Sequence, residues 1–97
     1  MRITIIPVDG TVNKDGQTYI GLDLVSCGIP ADVHAFQWEE NEPNKGHIEF
    51  KSPLTQNQDV TELPDWVNAC LVRWDEAKAA EEAAKQAAQQ TAENQVQ

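Results

Sequence analysis

A chain of 97 residues is the size of one domain, and by size scaling its core holds on the order of ten to fifteen side chains. Sixteen acidic and seven basic residues give a formal net charge of -9, which argues against binding to nucleic acid or to an anionic membrane surface. The absence of a long apolar run predicts no membrane span, and the first ten residues lack the features of a signal peptide.

The first part of the chain has the composition of short strands joined by turns. Residues 1–60 hold all five glycines and four of the five prolines. The isoleucine- and threonine-rich stretch at residues 2–6 predicts a first strand. Asp15 and Gly16 form the strongest hairpin signal, which turns the strand Thr11–Lys14 into a strand at residues 17–20. We therefore expect a first hairpin here, followed by a loop.

A second hairpin is predicted in the middle of the chain. Residues 33–38 and 46–51 have strand composition, and the polar stretch 39–45 connects them. Strict alternation would place His34, Phe36 and Trp38 on one face of the first of these strands. Residues 52–61 are polar and are predicted to form a loop.

The last third of the chain predicts one helix. Residues 65–97 contain no glycine or proline, and Pro64 suits the first helical position because its missing N–H costs nothing there. At 100° per residue one face is apolar and broad enough to cover one side of a small sheet. That face carries Trp66, Val67, Cys70, Trp74 and Ala77.

Beyond Trp74 the helix changes character. Residues 75–97 contain eight alanines and five glutamines, which favour a helix but provide little to pack in a core. Ala77, Ala84 and Ala88 share a face that would permit close approach of another chain. These three alanines and Trp74, at the start of this arm, are the candidate partner-binding residues.

Together these patterns predict an α+β fold. Two hairpins form a small antiparallel β-sheet, and a C-terminal α-helix packs on it and projects as an Ala/Gln-rich arm. Residues 1–74 form a β-rich head closed by the first turns of the helix. Residues 75–97 form an arm that is either a solvated helix fraying towards Gln97 or a segment docked on another chain.

No pattern of side chains indicates metal or cofactor chemistry. His34 and His47 lie on strands predicted to be neighbours, but their spacing with Cys27 or Glu49 matches no zinc-ligand pattern. The sequence predicts no metal site, no cofactor and partly exposed strand histidines.

Nucleophilic and acid–base catalysis are disfavoured as well. Cys27 and Cys70 are not spaced as a redox motif, and Cys70 lies on the apolar helix face. A disulfide between the two is geometrically possible, but no feature of the sequence indicates one. The acidic cluster at residues 39–42 lies in a polar loop, where carboxylates stay solvated. Phosphate-binding, nucleophile-elbow and zinc-protease motifs are all missing. The sequence therefore predicts a protein-binding function and no enzyme.

Three stretches in this order resemble a known group of proteins. They are MRITIIPVDGTVNKDGQTYIGLDL, then IPADVHAFQW with GHIEF, then LPDWVNACLVRWDEAKAAEEAA. The resemblance is to small proteins encoded beside tail-fibre genes in tailed bacteriophages and prophages, and it covers roughly residues 1–85. Some of these proteins have a C-terminal segment that is similar to the C-terminal segment of fibre-assembly proteins. This chain has its Ala/Gln-rich stretch in that place instead.

The resemblance implies a phage tail accessory protein that binds a tail-fibre or tail-tip protein. It would act either as an assembly chaperone in the host cytoplasm or as a minor structural component of the virion tail, and homo-oligomerisation remains open. The resemblance implies no catalytic residue, cofactor, nucleic acid or membrane. An alternative from the net charge is an acidic phage inhibitor that mimics nucleic acid towards a host defence protein, although its carboxylates are scattered along the chain.

Overall fold

The six strands form one antiparallel sheet that packs against a single long helix. The computed structural model describes the backbone of residues 1–95 and the side chains of residues 1–88. In chain order the elements are β1 (Arg2–Ile6), β2 (Thr11–Lys14), β3 (Gln17–Tyr19), β4 (Val33–Glu39), β5 (Gly46–Phe50), β6 (Gln58–Val60) and α1 (Asp65–Gln95). Short 3₁₀ turns occupy Pro7–Asp9 and Val25–Cys27. The predicted α+β fold is confirmed.

Both predicted hairpins belong to the same sheet. Its strand order is β3-β2-β1-β4-β5-β6, so β1 lies between the hairpins and joins them. In the first hairpin Lys14 pairs with Gln17 across the two-residue turn, where Asp15 and Gly16 both have positive φ, as a hairpin turn of this length requires. The three-residue strand β6 lies within the stretch predicted to be loop, and that part of the prediction is wrong.

The prediction that His34, Phe36 and Trp38 share one face of β4 is wrong, because this strand contains a β-bulge. The pairing with β5 shifts register between Val33 and Ala35, so the strand does not alternate strictly. Phe36 and Trp38 are buried, whereas His34 is exposed, so the three do not share one face. The extra residue turns His34 away from the face that the helix covers, and the apolar neighbour Val33 is buried instead.

The core lies between the helix and one face of the sheet. Register pairs Ile3 with Trp38 and Ile5 with both Val12 and Phe36, which places these buried side chains on one face. Val67, Cys70 and Trp74 bury the predicted apolar face of α1 against them. The opposite sheet face is polar and carries residues such as Thr4, Asn13, Thr18, Gln37 and His47.

Gly46 lets the sheet accommodate one of its large aromatic residues. A Cβ at this position would come within 2.7 Å of Trp38 Cε3 and 3.0 Å of Val60 Cγ2. The Trp38 ring therefore packs directly over Gly46, and any larger residue at position 46 would push the Trp38 or Val60 side chain aside. The indole Nε1 of Trp38 is buried without a hydrogen-bond partner among the described residues.

Candidate protein-binding edge

The helix crosses the sheet from the centre towards one edge. Near its start Trp66 meets the Phe36 ring of β4 edge to face, with ring centroids 5.5 Å apart. Two turns later Trp74 reaches the edge strand β3, where its Nε1 donates a hydrogen bond of 3.0 Å to the Gln17 carbonyl oxygen. The helix thus runs across the strands, and its C-terminal part leaves the sheet on the β3 side.

Trp74 is the anchor of this crossing. Its side chain is 5% exposed, and Tyr19 packs on it edge to face at 5.8 Å. The ammonium groups of Lys14 and Lys78 lie 5.0 and 5.3 Å from the indole ring centre, at cation–π distance. Trp74 is therefore engaged within its own chain.

About two helical turns beyond Trp74, Glu81 and Lys85 of the helix meet Tyr19 and Gln17 of β3 in a polar cluster that we call the clasp. The Tyr19 hydroxyl donates a short hydrogen bond to Glu81 and accepts one of 2.7 Å from Gln17 Nε2. Lys85 pairs with the other carboxylate oxygen of Glu81 at 3.1 Å, in the favourable i, i+4 order. The clasp ties the helix to the edge strand.

The clasp perturbs the pKa values of both its titratable partners. The hydrogen bond to the Glu81 carboxylate, with smaller effects of desolvation and of the negative charge, raises the pKa of Tyr19 to about 12. The same hydrogen bond, together with Lys85, lowers the pKa of Glu81. The pair is thus most stable as a neutral phenol bound to an ionised carboxylate.

Past the clasp the helix continues without cover. The side chains of residues 82–88 are all exposed, and the backbone stays helical to Gln95. We call residues 65–81 the packed section of the helix and residues 82–88 its overhanging section. Seven residues of helix extend about 10 Å, so the overhanging section projects beyond the edge strand β3.

The four residues predicted to bind a partner are divided between these sections. Trp74 is buried and Ala77 is half-buried in the packed section, whereas Ala84 and Ala88 are exposed in the overhanging section. All four lie on the side of the helix that faces the sheet, because Ala84 and Ala88 continue the face of Ala77. Side chains from residue 89 onwards, and the predicted fraying towards Gln97, lie outside the described residues.

The molecule is elongated because its helix is much longer than the sheet is wide. Its principal-axis extents are 64 × 28 × 20 Å, and its radius of gyration is 16.9 Å. A compact domain of this length would have a radius of gyration of about 13 Å. The difference reflects a helix of 31 residues, about 46 Å long, on a small sheet.

Sequence reasoning missed Tyr19, Gln17 and Glu81 as members of this edge. Their meeting depends on where the helix crosses the sheet, which local patterns do not specify. One signal was present, because Glu81 lies seven residues after Trp74 and so on the same helix face. A polar residue at that position of an otherwise apolar face indicates a contact with a hydrogen-bonding partner.

A groove of about 520 Å³, lined by both apolar and polar groups, also escaped sequence reasoning. It lies beside the turns that follow β1 and β3, and its lining includes Val8, Leu22, Val25, Ile29 and Pro30. Val8 and Val25 are highly exposed at its rim. These residues belong to loop segments, where apolar side chains give no periodic signal.

The residues considered for metal binding stay apart or pair weakly. His47 and Glu49 approach to 3.5 Å between Nε2 and Oε1, while His34 is exposed on the bulged strand. In the part of the chain that the structure describes, no group of three or more His, Cys, Asp or Glu side chains is arranged to hold a metal ion. None of the described helices is long and apolar enough to cross a membrane.

Comparison with known proteins leaves the geometry as the guide to function. No protein-family model matches the chain, and neither curated proteins nor solved structures give a match.

Proposed function

We propose that this chain is a bacteriophage tail accessory protein that binds a tail-fibre or tail-tip protein at the edge formed by β3 and the overhanging helix. The observation that carries the proposal is the exposed overhanging section, residues 82–88, which continues the sheet-facing side of α1 past the last strand. The identity of the partner rests on the resemblance of the three stretches quoted above to proteins encoded beside tail-fibre genes.

The geometry supports binding of an extended segment of the partner. An edge strand presents backbone N–H and C=O groups on its outer side, and a strand added there forms main-chain hydrogen bonds. A strand added next to β3 would lie directly beneath the overhanging section. It would then be covered as β2 and β3 are covered by the packed section.

The composition of the overhang suits this mode of binding. Ala84 and Ala88 face the space beneath the overhang and allow a partner backbone or a bulky partner side chain to approach closely. A Leu or Trp in their place would already fill that space or expose a large apolar surface in the free protein.

The acidic-inhibitor alternative receives less support from the charges. A nucleic-acid mimic needs carboxylates that are free to replace phosphates on its target. Within the two stretches where acidic residues are densest, 39–42 and 75–82, four carboxylates are paired with cations of the same chain. Glu39 pairs with Arg2, Glu40 with the N-terminal ammonium, Glu76 with Arg73 and Glu81 with Lys85.

A binding experiment with matched variants tests the proposal. The chain is co-expressed with the fibre or tail-tip protein encoded next to it, and complex formation is measured by co-purification and titration. The double variant Ala84→Glu, Ala88→Glu places two carboxylates beneath the overhang and should weaken binding at least about a hundredfold, since a buried unpaired charge costs several kcal/mol. Its control, Ala79→Glu with Ala83→Glu, adds the same charge about 140° around the helix and should bind normally.

The outcomes separate the parts of the proposal. If both double variants bind equally well, the overhanging section is not the binding surface. Absence of binding by the unmodified protein to every fibre and tail-tip protein of its phage would remove the tail assignment itself. Increased protection of the β3 amides from hydrogen exchange in the complex would support strand addition, and unchanged protection would contradict it.

Mass spectrometry of purified phage particles distinguishes the two roles. A fixed ratio of this chain to the fibre protein would identify a structural component of the virion tail. Presence only in the infected-cell lysate, bound to unassembled fibre, would identify an assembly chaperone.

A further inference from the structure

The two cysteines of the chain meet where the helix packs on the segment that follows β3. Cys27 ends the 3₁₀ turn Val25–Cys27, and Cys70 lies on the buried face of α1. Both are free thiols, they are 7% and 0% exposed, and they belong to the same core cluster. The helix and this 3₁₀ turn are in direct contact.

A long polar contact lies one helical turn further on. Arg73 donates a hydrogen bond of 3.5 Å to the hydroxyl of Ser26, the residue before Cys27. The same guanidinium forms two hydrogen bonds of 2.9 Å to the carboxylate of Glu76, which hold it in place. This contact accompanies the apolar packing that places the 3₁₀ turn against the turn of α1 that carries Cys70.

The thiol of Cys70 is chemically quiet in the reduced protein. Burial, with smaller contributions from the charge and the hydrogen bond of the adjacent Cys27, raises the pKa of Cys70 to about 12. A thiol that stays protonated near neutral pH is a poor nucleophile. This environment fits a slow structural pairing of the two thiols and does not fit a catalytic cysteine.

We propose that Cys27 and Cys70 form a disulfide within the chain when the protein meets an oxidising small-molecule disulfide, such as glutathione disulfide. The bond would covalently join the packed section of the helix to the segment after β3. It would leave the overhanging section unchanged. The proposal rests on the packing of the two thiols and is independent of the proposed function.

The reaction proceeds by two thiol–disulfide exchanges. Cys27, at the end of the exposed 3₁₀ turn, loses its proton and attacks one sulfur of glutathione disulfide, which forms a mixed disulfide and releases one glutathione thiolate. Cys70 then loses its proton and attacks the Cys27 sulfur, which forms the Cys27–Cys70 bond and releases the second glutathione thiolate. The two released thiolates take up the two protons. Two protein thiols are oxidised and one glutathione disulfide is reduced.

The bond should stabilise the fold measurably. It would close a loop of roughly 44 residues, and loops of that length gain substantially when they are cross-linked because the unfolded chain loses conformational freedom. For a domain of this size we expect the melting temperature to rise by about 10 °C.

The full-length protein tests the proposal without any substitution. Purified protein is incubated at mildly alkaline pH with glutathione disulfide or, in parallel, with reduced glutathione. Oxidation should lower the intact mass by about 2 Da. Trypsin cleaves after Lys45 and Lys51, between the two cysteines, so a non-reducing digest should contain a linked pair of peptides that carry Cys27 and Cys70. Dithiothreitol should separate the peptides and restore the original melting temperature.

Two single variants serve as controls. Cys27→Ala and Cys70→Ala should each show no mass loss and no rise in melting temperature on oxidation. The proposal is overturned if the native protein accumulates only mixed disulfides with glutathione. It is equally overturned if oxidation joins two copies of the chain through these cysteines while no linked peptide pair forms within one copy.

Discussion

The packed and overhanging sections of α1 are consecutive parts of one helix and share a face, yet they meet different surroundings. In the packed section that face carries Val67, Cys70 and Trp74, which are buried against the sheet. In the overhanging section the same face carries Ala84 and Ala88, which are exposed. The side chains become small where the sheet ends, so the helix continues without exposing a large apolar surface.

This contrast shows that the residues that favour helix formation differ from the residues that fix the helix on the sheet. Alanine and glutamine maintain helical propensity throughout residues 75–88. Fixation on the sheet comes instead from a few bulky or hydrogen-bonding side chains, of which Trp74 and Glu81 are the last on the packed side. Substitutions at matched positions in the two sections are therefore the sharpest way to examine the account.

The largest effect on stability is expected from loss of the anchor. Trp74→Ala removes a nearly buried indole, its hydrogen bond to Gln17 and its packing with Tyr19. Truncation of a core tryptophan costs about 3–5 kcal/mol. Urea unfolding should show this loss, whereas Gln86→Ala in the overhanging section should change stability by less than about 0.5 kcal/mol. Equal effects would show that the two sections do not differ.

Overpacking should distinguish the sections by a smaller margin. Val67 is fully buried, so Val67→Phe forces the helix away from the sheet and should cost about 1–3 kcal/mol. Ala84→Phe adds a ring in open space and should leave the free energy of unfolding unchanged within about 0.5 kcal/mol. A comparable loss for Ala84→Phe in denaturant unfolding would mean that the overhang is covered in the free protein.

Titration of Tyr19 tests the clasp at the boundary of the two sections. Tyr19 is the one tyrosine of the sequence, so phenolate absorbance reports it directly, and its pKa should be about 12. Glu81→Gln removes the carboxylate and should return the pKa towards the ordinary value of 10.0. Glu82→Gln, a neighbouring charge with a minor influence, should change it little. A pKa near the ordinary value in the unmodified protein would mean that the clasp does not form.

The clasp also gives stability a defined pH dependence. The pKa of Tyr19 is raised, so the folded state keeps its proton more tightly than the unfolded state, and the contribution of Tyr19 is lost as pH rises from 10.0 towards about 12. The pKa of Glu81 is lowered from 4.5, so its contribution is present above that value and is lost as pH falls below it. Chemical unfolding at several pH values should show both losses, and both should shrink in Glu81→Gln.

The smallest effect on stability is expected where the effect on binding is largest. Ala84→Glu with Ala88→Glu changes two exposed side chains, and circular dichroism and thermal unfolding should match those of the unmodified protein. Its loss of partner binding would then report the interface alone. A large drop in melting temperature would contradict the exposed placement of the overhang.

The local elements of the fold followed from local residue chemistry. The Asp15–Gly16 turn, the strand pair β4 and β5, and the apolar helix face all rest on signals within a few residues. The position of β1 between the hairpins did not follow, because strand order depends on pairing between distant segments. Strand β6 was missed because two of its three residues, Gln58 and Asp59, are polar and the strand forms only by pairing with β5.

The candidate site was predicted only in part for the same reason. Sequence spacing identified the face shared by Ala77, Ala84 and Ala88, but it did not show where along the helix the sheet ends. Trp74 is a buried anchor and Ala84 is exposed because the sheet ends between them. The meeting of Cys27 with Cys70 was equally beyond local patterns, because it depends on how the loop after β3 folds over the helix.

The sheet holds the helix up to Glu81, and the side chains of residues 82–88 beyond it are exposed. Amide hydrogen exchange of the free protein, resolved by residue, tests this most directly. We expect strong protection through the packed section and a steep fall in protection across residues 82–88, where exposed helix opens locally. Uniform protection from Val67 to Ala88 would contradict it.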